Sequence, residues 1–359
     1  MKKSGVASIE ILRSAWVAPL TQIEHPEGPW EGCHDGGVYN AHGEISTRGL
    51  HVKQGYINRP KSLIIEGYPS EHMEGNYIFG GMIQSEHFGH FMVESINRLW
   101  SVNYISNKFE KFAFYKRSLH APICRYVGEF FNIIIPDFDL KIISSNTQFD
   151  ILAVPCQIQA NGWLYGHDVI RECFSPLRKI RAPGHKRIYV SRAGLSPRDG
   201  GLLLESMIEQ ALEAEGYGII RPETMSLRQQ IEAYNEADDL IFAEGSSLHI
   251  YALVAQPLQR VFVIWRRRLQ PGFGWQISTF GGPTVRGMPC IYRFWVPDGA
   301  EVRGRAELDF VLLRDQLRLA GMIRGTNWPV PAEADFMAEL ENLSCAARTI
   351  FVPREAPAD

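Results

Sequence analysis

Residues 186–265 constrain this chain more than any other stretch. Three apolar runs alternate with two segments of helical periodicity, and the third run, Asp239-Leu240-Ile241-Phe242-Ala243, passes into Glu244-Gly245-Ser246-Ser247 before an apolar helix begins. Continuous apolar runs of four to eight residues fit strands buried on both faces, the condition of a parallel sheet covered by helices. A strand, a tight turn and a helix start leave backbone N–H groups, small hydroxyls and a positive dipole end pointing at one place. That combination suits a phosphate or another anion. The plainer reading is also open here: Gly245 turns the chain, and Ser246 or Ser247 caps the helix.

The rest of this segment repeats the pattern. Lys186-Arg187-Ile188-Tyr189-Val190-Ser191-Arg192 reads as a strand, and Ser196-Pro197-Arg198-Asp199-Gly200 is a loop that cannot continue it. A helix is expected over 202–216, a short strand over 217–220, and another helix from Ser226, where Gln229 stands at the capping-box position. Residues 260–265 give a fourth strand. In a parallel sheet ligands bind beyond the carboxyl ends of the strands. Arg192, Arg198, Glu223, Glu244 and Ser246 all follow such ends, which makes them the leading candidates for a site.

The first half alternates in the same way. Strands are expected over 62–67, 76–80, 112–115, 138–144 and 151–154, with a helix over 121–131. Between them, residues 85–100 carry apolar side chains at positions 91, 92, 96 and 99, a helical spacing. His90 and Glu94 then share one face a turn apart, where the carboxylate can hold the imidazole in one tautomer. An ordinary surface pair is the plainer alternative. Glycines at 80, 81 and 89 favour close approach of a backbone or ligand. Residues 1 to about 60 are rich in turn signals, including 28–32 and 34–37, and are expected to form short strands and loops covering this domain.

Length and composition set the outer bounds. A chain of 359 residues allows two domains, each with its own core. A 45% hydrophobic content and a net charge of -3 describe a globular chain with no nucleic-acid signature. The boundary is placed in the basic, proline-containing connection 171–184. The expected division is an α/β domain over 1–170, a Rossmann-like domain over 171–300 and a helical extension over 301–359. The first residues lack an apolar core, so no signal peptide is expected, and no stretch reaches the ~20 apolar residues of a membrane span. Six scattered cysteines, with no Cys-x-x-Cys pair, fit reduced thiols in a cytoplasmic protein, and no metal centre is expected.

Taken in order, these pieces resemble glycosyltransferase family 61. Ile188 to Arg192 with Arg198 looks like that family's strand and downstream arginine. Arg221-Pro222-Glu223, with Leu227 and Gln230-Ile231, is similar to its proline-glutamate and helix-start glutamine, and Ala243 to His249 to its glycine turn. In the first half, His90 to Glu94 with Arg98-Leu99 resembles its histidine-x-x-x-aspartate helix. The match runs over about residues 75–265. Glu244 stands where the family often has histidine, His249 where asparagine is common, and Glu94 lengthens the usual aspartate.

The resemblance implies a GT-B architecture, two Rossmann-like domains with parallel sheets facing across a cleft, and a nucleotide-diphosphate sugar held by the carboxyl-terminal one without a metal. It implies an inverting transfer to a hydroxyl of a bacterial surface glycan or lipid-linked glycan, by a cytoplasmic enzyme, peripheral at the membrane if associated with it at all. On this reading Arg192, Arg198, Glu223, Gln230, Glu244, Gly245, Ser246, Ser247 and His249 bind the donor. His90 is the base, supported by Glu94, with Glu86 as its substitute. The alternatives are a polysaccharide pyruvyltransferase-like enzyme and a non-catalytic glycan- or nucleotide-binding module.

Overall fold

The computed structural model describes residues 7–22, 34–53, 56–57, 70–105, 108–109, 111–116, 122–137, 139–160, 162–297 and 301–354. The strand expected over 62–67, the turn signals at 28–32 and Cys33 lie outside them. The chain divides into two compact units, residues 1–176 and 177–359. Both are α/β, with parallel pairing in each.

The first unit is built on a six-stranded sheet. Its order is His34–Tyr39, Ile9–Gln22, Thr147–Pro155, Glu71–Ile83, Lys111–Lys116 and Asp139–Ile143. The last four pair in parallel, while Ile9–Gln22 runs antiparallel to both its neighbours. The amino-terminal region is therefore more than cover: a 14-residue strand from it carries alternating contacts into the sheet, with Ala15 and Val17 in the core beside Tyr77, Phe79 and Leu152. The turn signals around it concealed this, because the strand breaks the apolar/polar alternation: Ile11 is exposed, while Ala15, Trp16, Val17 and Ala18 are buried in succession.

The second unit holds a five-stranded, wholly parallel sheet in the order Gly218–Ile220, Arg187–Val190, Asp239–Ala243, Arg260–Ile264 and Val285–Arg286. Every residue of Asp239–Ala243 is buried, as the uninterrupted apolar run requires. Full burial of side chains such as Ile241 and Phe262 stabilises by about 1.5–3 kcal/mol each. Numbered along this unit the order is 2-1-3-4-5, so the sheet reverses direction between 187–190 and 239–243. Such a reversal splays the loops leaving the two strands and opens a crevice at their carboxyl ends.

A second sheet, in the order Gly201–Leu202, Arg305–Leu308, Ile291–Pro297 and Phe351–Arg354, packs its apolar face into the same core. The carboxyl-terminal stretch, expected to be helical, thus contributes two strands besides the helices Phe310–Leu319 and Glu333–Ala347. The helix expected from Leu202 does not begin there, because Leu202 lies with Gly201 in a two-residue strand. That strand pairs with Arg305–Leu308, and the helix starts only at Glu205, after Leu204 turns through a left-handed conformation at φ 55°.

Candidate functional site

Two strand ends leave the sheet at its reversal, the place where parallel sheets hold their ligands. From 187–190 the chain leaves through Ser191 and Arg192; from 239–243 it leaves through Glu244, Gly245 and Ser246. The Arg192 guanidinium lies directly over Gly245, since a Cβ there would sit 2.5 Å from Nη1 and 3.3 Å from Cδ. Gly245 has no left-handed backbone, so its role is space.

Glu205 fixes the other side of Arg192. This first residue of the helix Glu205–Ala214 is buried, and its Oε1 accepts from the Arg192 N–H at 2.8 Å, the Tyr189 hydroxyl at 2.8 Å and the Ser191 hydroxyl at 3.1 Å. Burial pushes the Glu205 carboxyl upward, and those three donors hold it back only in part. Arg192 also donates from Nη2 to the Gly200 carbonyl at 3.0 Å. Its backbone and one end of its fork are therefore anchored while Nη1 stays over the turn.

Behind the turn stands an arginine group that the sequence reading missed. Arg266 donates from Nε to the Glu244 carbonyl at 3.1 Å, and its Nε lies 3.7 Å from Oε2 of the same residue. Arg267 pairs with the Glu244 carboxylate. Burial would raise the pKa of Glu244, but Arg266, Arg267 and Arg192 outweigh it and hold the carboxyl below its usual value. Arg266 itself is lowered to about 10, by burial first and then by Arg192, Arg267 and Arg305 around it, against the pull of Glu244. The available signal was the run Arg266-Arg267-Arg268 immediately beyond the 260–264 strand.

The remaining candidates fall into two groups. Ser246 precedes the helix Ser247–Val254 without a side-chain capping bond, so the plainer capping role is not what its hydroxyl performs. Both serines are half-buried at the mouth of the turn. Glu223 is exposed on the turn Pro222–Thr224, its Oε1 against Gly194 in the loop that follows Arg192. Arg198 is exposed and lines a cleft of about 340 Å³ with Arg303 and Arg348.

Three other candidates are buried against protein partners. The Glu244 carboxylate is wholly buried against its arginines and does not reach out to a sugar hydroxyl. Gln230 is buried and donates from Nε2 to the Pro222 carbonyl at 2.9 Å, pinning that turn. His249 is buried with Nδ1 2.8 Å from Gln276 Oε1 and its ring against Phe273. Periodicity could place these side chains beyond a strand end, but could not tell an outward direction from an inward one. The capping box of Ser226 and Gln229 is present as expected.

In the first unit, residues expected as one helix form a single α-turn at Phe88–His90, a π-turn at Phe91–Ser95 and a 3-10 segment at Leu99–Asn103. Side chains occupy backbone groups around the break: Gln84 N–H donates to Ser95 Oγ, and Asn97 donates to the Glu94 carbonyl. Such π-turns are frequent at functional positions. His90 Nδ1 meets Glu94 Oε1 at 2.5 Å, with the imidazole 42% exposed and the carboxylate wholly buried. That arrangement gives one ring nitrogen a fixed partner and leaves a partly open ring. Glu86 is exposed just ahead of this segment.

Arg98 explains the glycines before the helix. It is buried with no carboxylate partner among the described residues, its fork donating to the carbonyls of Arg48, Leu50 and Pro155. Gly81, at φ +91°, gives its side chain passage, and Gly80 admits the Phe114 ring. These two glycines accommodate protein side chains. Burial lowers Arg98 to about 10.

Among the described residues no group of three or more His, Cys, Asp or Glu is placed to hold a metal ion, and no helix is long and apolar enough to cross a membrane. No curated protein matches the chain. Residues 88–261, which span the His90–Glu94 turn, the Arg192 strand and the Gly245 turn, match the family model described as Glycosyltransferase 61. That match supports the assignment of residues 88–261 to glycosyltransferase family 61.

Proposed function

We propose that this glycosyltransferase is a metal-independent, inverting GT-B enzyme that moves a sugar from a nucleotide-diphosphate donor to a hydroxyl of a bacterial surface glycan. The observation that carries the reading is Arg192 held over Gly245 at the sheet reversal, backed by Arg266, Arg267 and Arg305. As the bond between the anomeric carbon and the diphosphate breaks, its electron pair leaves on the diphosphate. Fixed cationic and N–H donors stabilise that charge without reorganising. Arg192 supplies the fork, Ser246 and Ser247 supply hydroxyls, and the turn supplies backbone N–H groups.

The acceptor hydroxyl must lose its proton as its oxygen bonds to the anomeric carbon. In this reading His90 takes that proton on Nε2, and Glu94 on Nδ1 stabilises the imidazolium so formed. A buried carboxylate that orients an imidazole is a recurrent solution to this task. Supply of the donor subsite by the carboxyl-terminal unit and of the base by the amino-terminal unit belongs to the GT-B proposal.

The test begins with a thermal-shift panel of nucleoside diphosphates and their sugars, since a ligand that binds only the folded chain raises its apparent stability. One nucleoside diphosphate should shift the midpoint, and Arg192→Ala should weaken it by about 1.5–3 kcal/mol. His90→Ala should abolish sugar transfer while leaving that binding nearly intact. Full turnover by His90→Ala removes the mechanism, and transfer of pyruvate in place of a sugar removes the reaction class.

A further inference from the structure

His51 is a buried histidine in the region expected to be mere cover, and it faces the candidate base machinery. Its Nε2 lies 3.6 Å from Oε2 of Glu94, while Oε1 of that carboxylate is engaged by His90. Three side chains thus form a line of imidazole, carboxylate and imidazole, the first two buried and the last partly open.

The fold delivers His51 there by a specific device. Residues 47–49 form a 3-10 turn just before it, and the carbonyls of Arg48 and Leu50 accept from Arg98 Nη1 and Nη2 at 2.7 and 2.8 Å. Arg98 follows Glu94 by one turn on the same segment. One buried guanidinium therefore ties the stretch bearing His51 to the segment bearing Glu94 and His90. Among the described residues Arg98 donates to carbonyls alone, so it ties the two segments together without taking up the Glu94 carboxylate.

We propose that His51 is a positioning residue for the candidate base. Its Nε2, 3.6 Å from Oε2 of Glu94 and beyond direct hydrogen-bond distance, keeps a polar ring nitrogen on that side of the carboxylate, so that Oε1 stays on Nδ1 of His90 and His90 stays in the tautomer with its proton on Nδ1 and its lone pair on Nε2. A carboxylate free to rotate would present either oxygen and would not fix that tautomer; partners that orient metal-ligating histidines change activity by about 10–100-fold, and an effect of that order is taken for this orienting role. The inference rests on the reading of His90 as the base.

The experiment uses the full chain, with His51→Ala and His51→Gln compared with the unaltered protein. Gln keeps a donor for Oε2. Two quantities are read: kcat and donor KM, and the ring-nitrogen NMR signature of the His90 tautomer, which needs no turnover. The expected result is a loss of about tenfold or more in kcat for His51→Ala with donor KM nearly unchanged. The Nδ1–H tautomer of His90 should decline in parallel, and His51→Gln should restore both. An unchanged His90 tautomer in His51→Ala, or a His51→Gln variant no better than His51→Ala, overturns the proposal. Should His51→Ala fail to fold, the tautomer in His51→Gln decides alone: retention supports the proposal and loss overturns it. Failure of the base reading looks different, because His90→Ala would then turn over normally whatever the tautomer does.

Discussion

Arg192 and Gly245 come from strand ends 53 positions apart in sequence and meet at van der Waals contact, the guanidinium occupying the space where any other residue at 245 would place its Cβ. Gly245→Ala should therefore displace the fork without straining the backbone. The expected outcome is diphosphate binding weakened by about 1.5–3 kcal/mol, the value of a charge-assisted hydrogen bond, with little change in thermal midpoint. Calorimetric titration with the nucleoside diphosphate found in the panel checks it, and a Gly245→Ala protein that binds as tightly as the parent would sink the assignment of this crevice.

Ser246 separates the two readings of the turn. A capping serine replaced by alanine costs about 0.5–2 kcal/mol of stability. Because Ser246 makes no side-chain capping bond, Ser246→Ala should unfold within about 0.5 kcal/mol of the parent, as an uninvolved surface change does. Its diphosphate affinity should nevertheless fall. Urea unfolding and titration on the same sample measure both; a large stability loss with unchanged affinity would return the residue to a structural role.

Glu244 gives the unit an acid limb. Its folded-state pKa lies below the ordinary 4.5, so its ion pairs stabilise fully above that value and the contribution is lost as pH falls through the folded-state pKa. Glu244→Gln should flatten the stability profile below pH 4.5. At neutral pH the same change should cost about 3–5 kcal/mol, because Arg266 is left buried beside an uncharged partner. Denaturant melts across pH 3–7, roughly the range in which carboxylates titrate, make the comparison.

Arg98 should matter to the first unit as a whole. Arg98→Leu removes the donors for three carbonyls, on residues 48, 50 and 155, and unsatisfied buried groups cost about 1–3 kcal/mol each before relaxation or water entry. A net loss of about 3–5 kcal/mol is expected, read as a fall in the unfolding midpoint of that unit. Since Arg98 also positions His51, the variant should lose activity at temperatures where it remains folded. A variant as stable as the parent would show that water replaces the guanidinium.

Much of the second unit was legible before any coordinates. Asp239 to Ala243 is apolar without interruption, Ser226 and Gln229 form a capping box, and Gly-Ser-Ser follows a strand; each is a local pattern with a local cause. The failures have a cause in common too. Leu202 heads a segment whose apolar residues from 203 to 212 follow a helical period, yet pairing with Ala306, more than 100 positions away in sequence, makes it a strand. Strand 9–22 was obscured by short-range turn signals although its partner is at 147–155.

Burial direction was decided in the same way. His90 and Glu94 met because four positions on one turn suffice to bring them together, whether the turn is α or π. Glu244, Gln230 and His249 stand at the expected places in the chain, but the packing of Arg267, Pro222 and Gln276 against them determined that they face inward. His51 carried no local signal at all. By itself the sequence determined what depends on neighbours a few positions away: the alternation of elements, the anion-suited turn and the His90–Glu94 pair. Only the tertiary structure decided the sheet reversal, the arginines behind Glu244 and the approach of His51, because strand order and buried charge pairing arise from contacts between segments whose separation along the chain leaves no periodic trace.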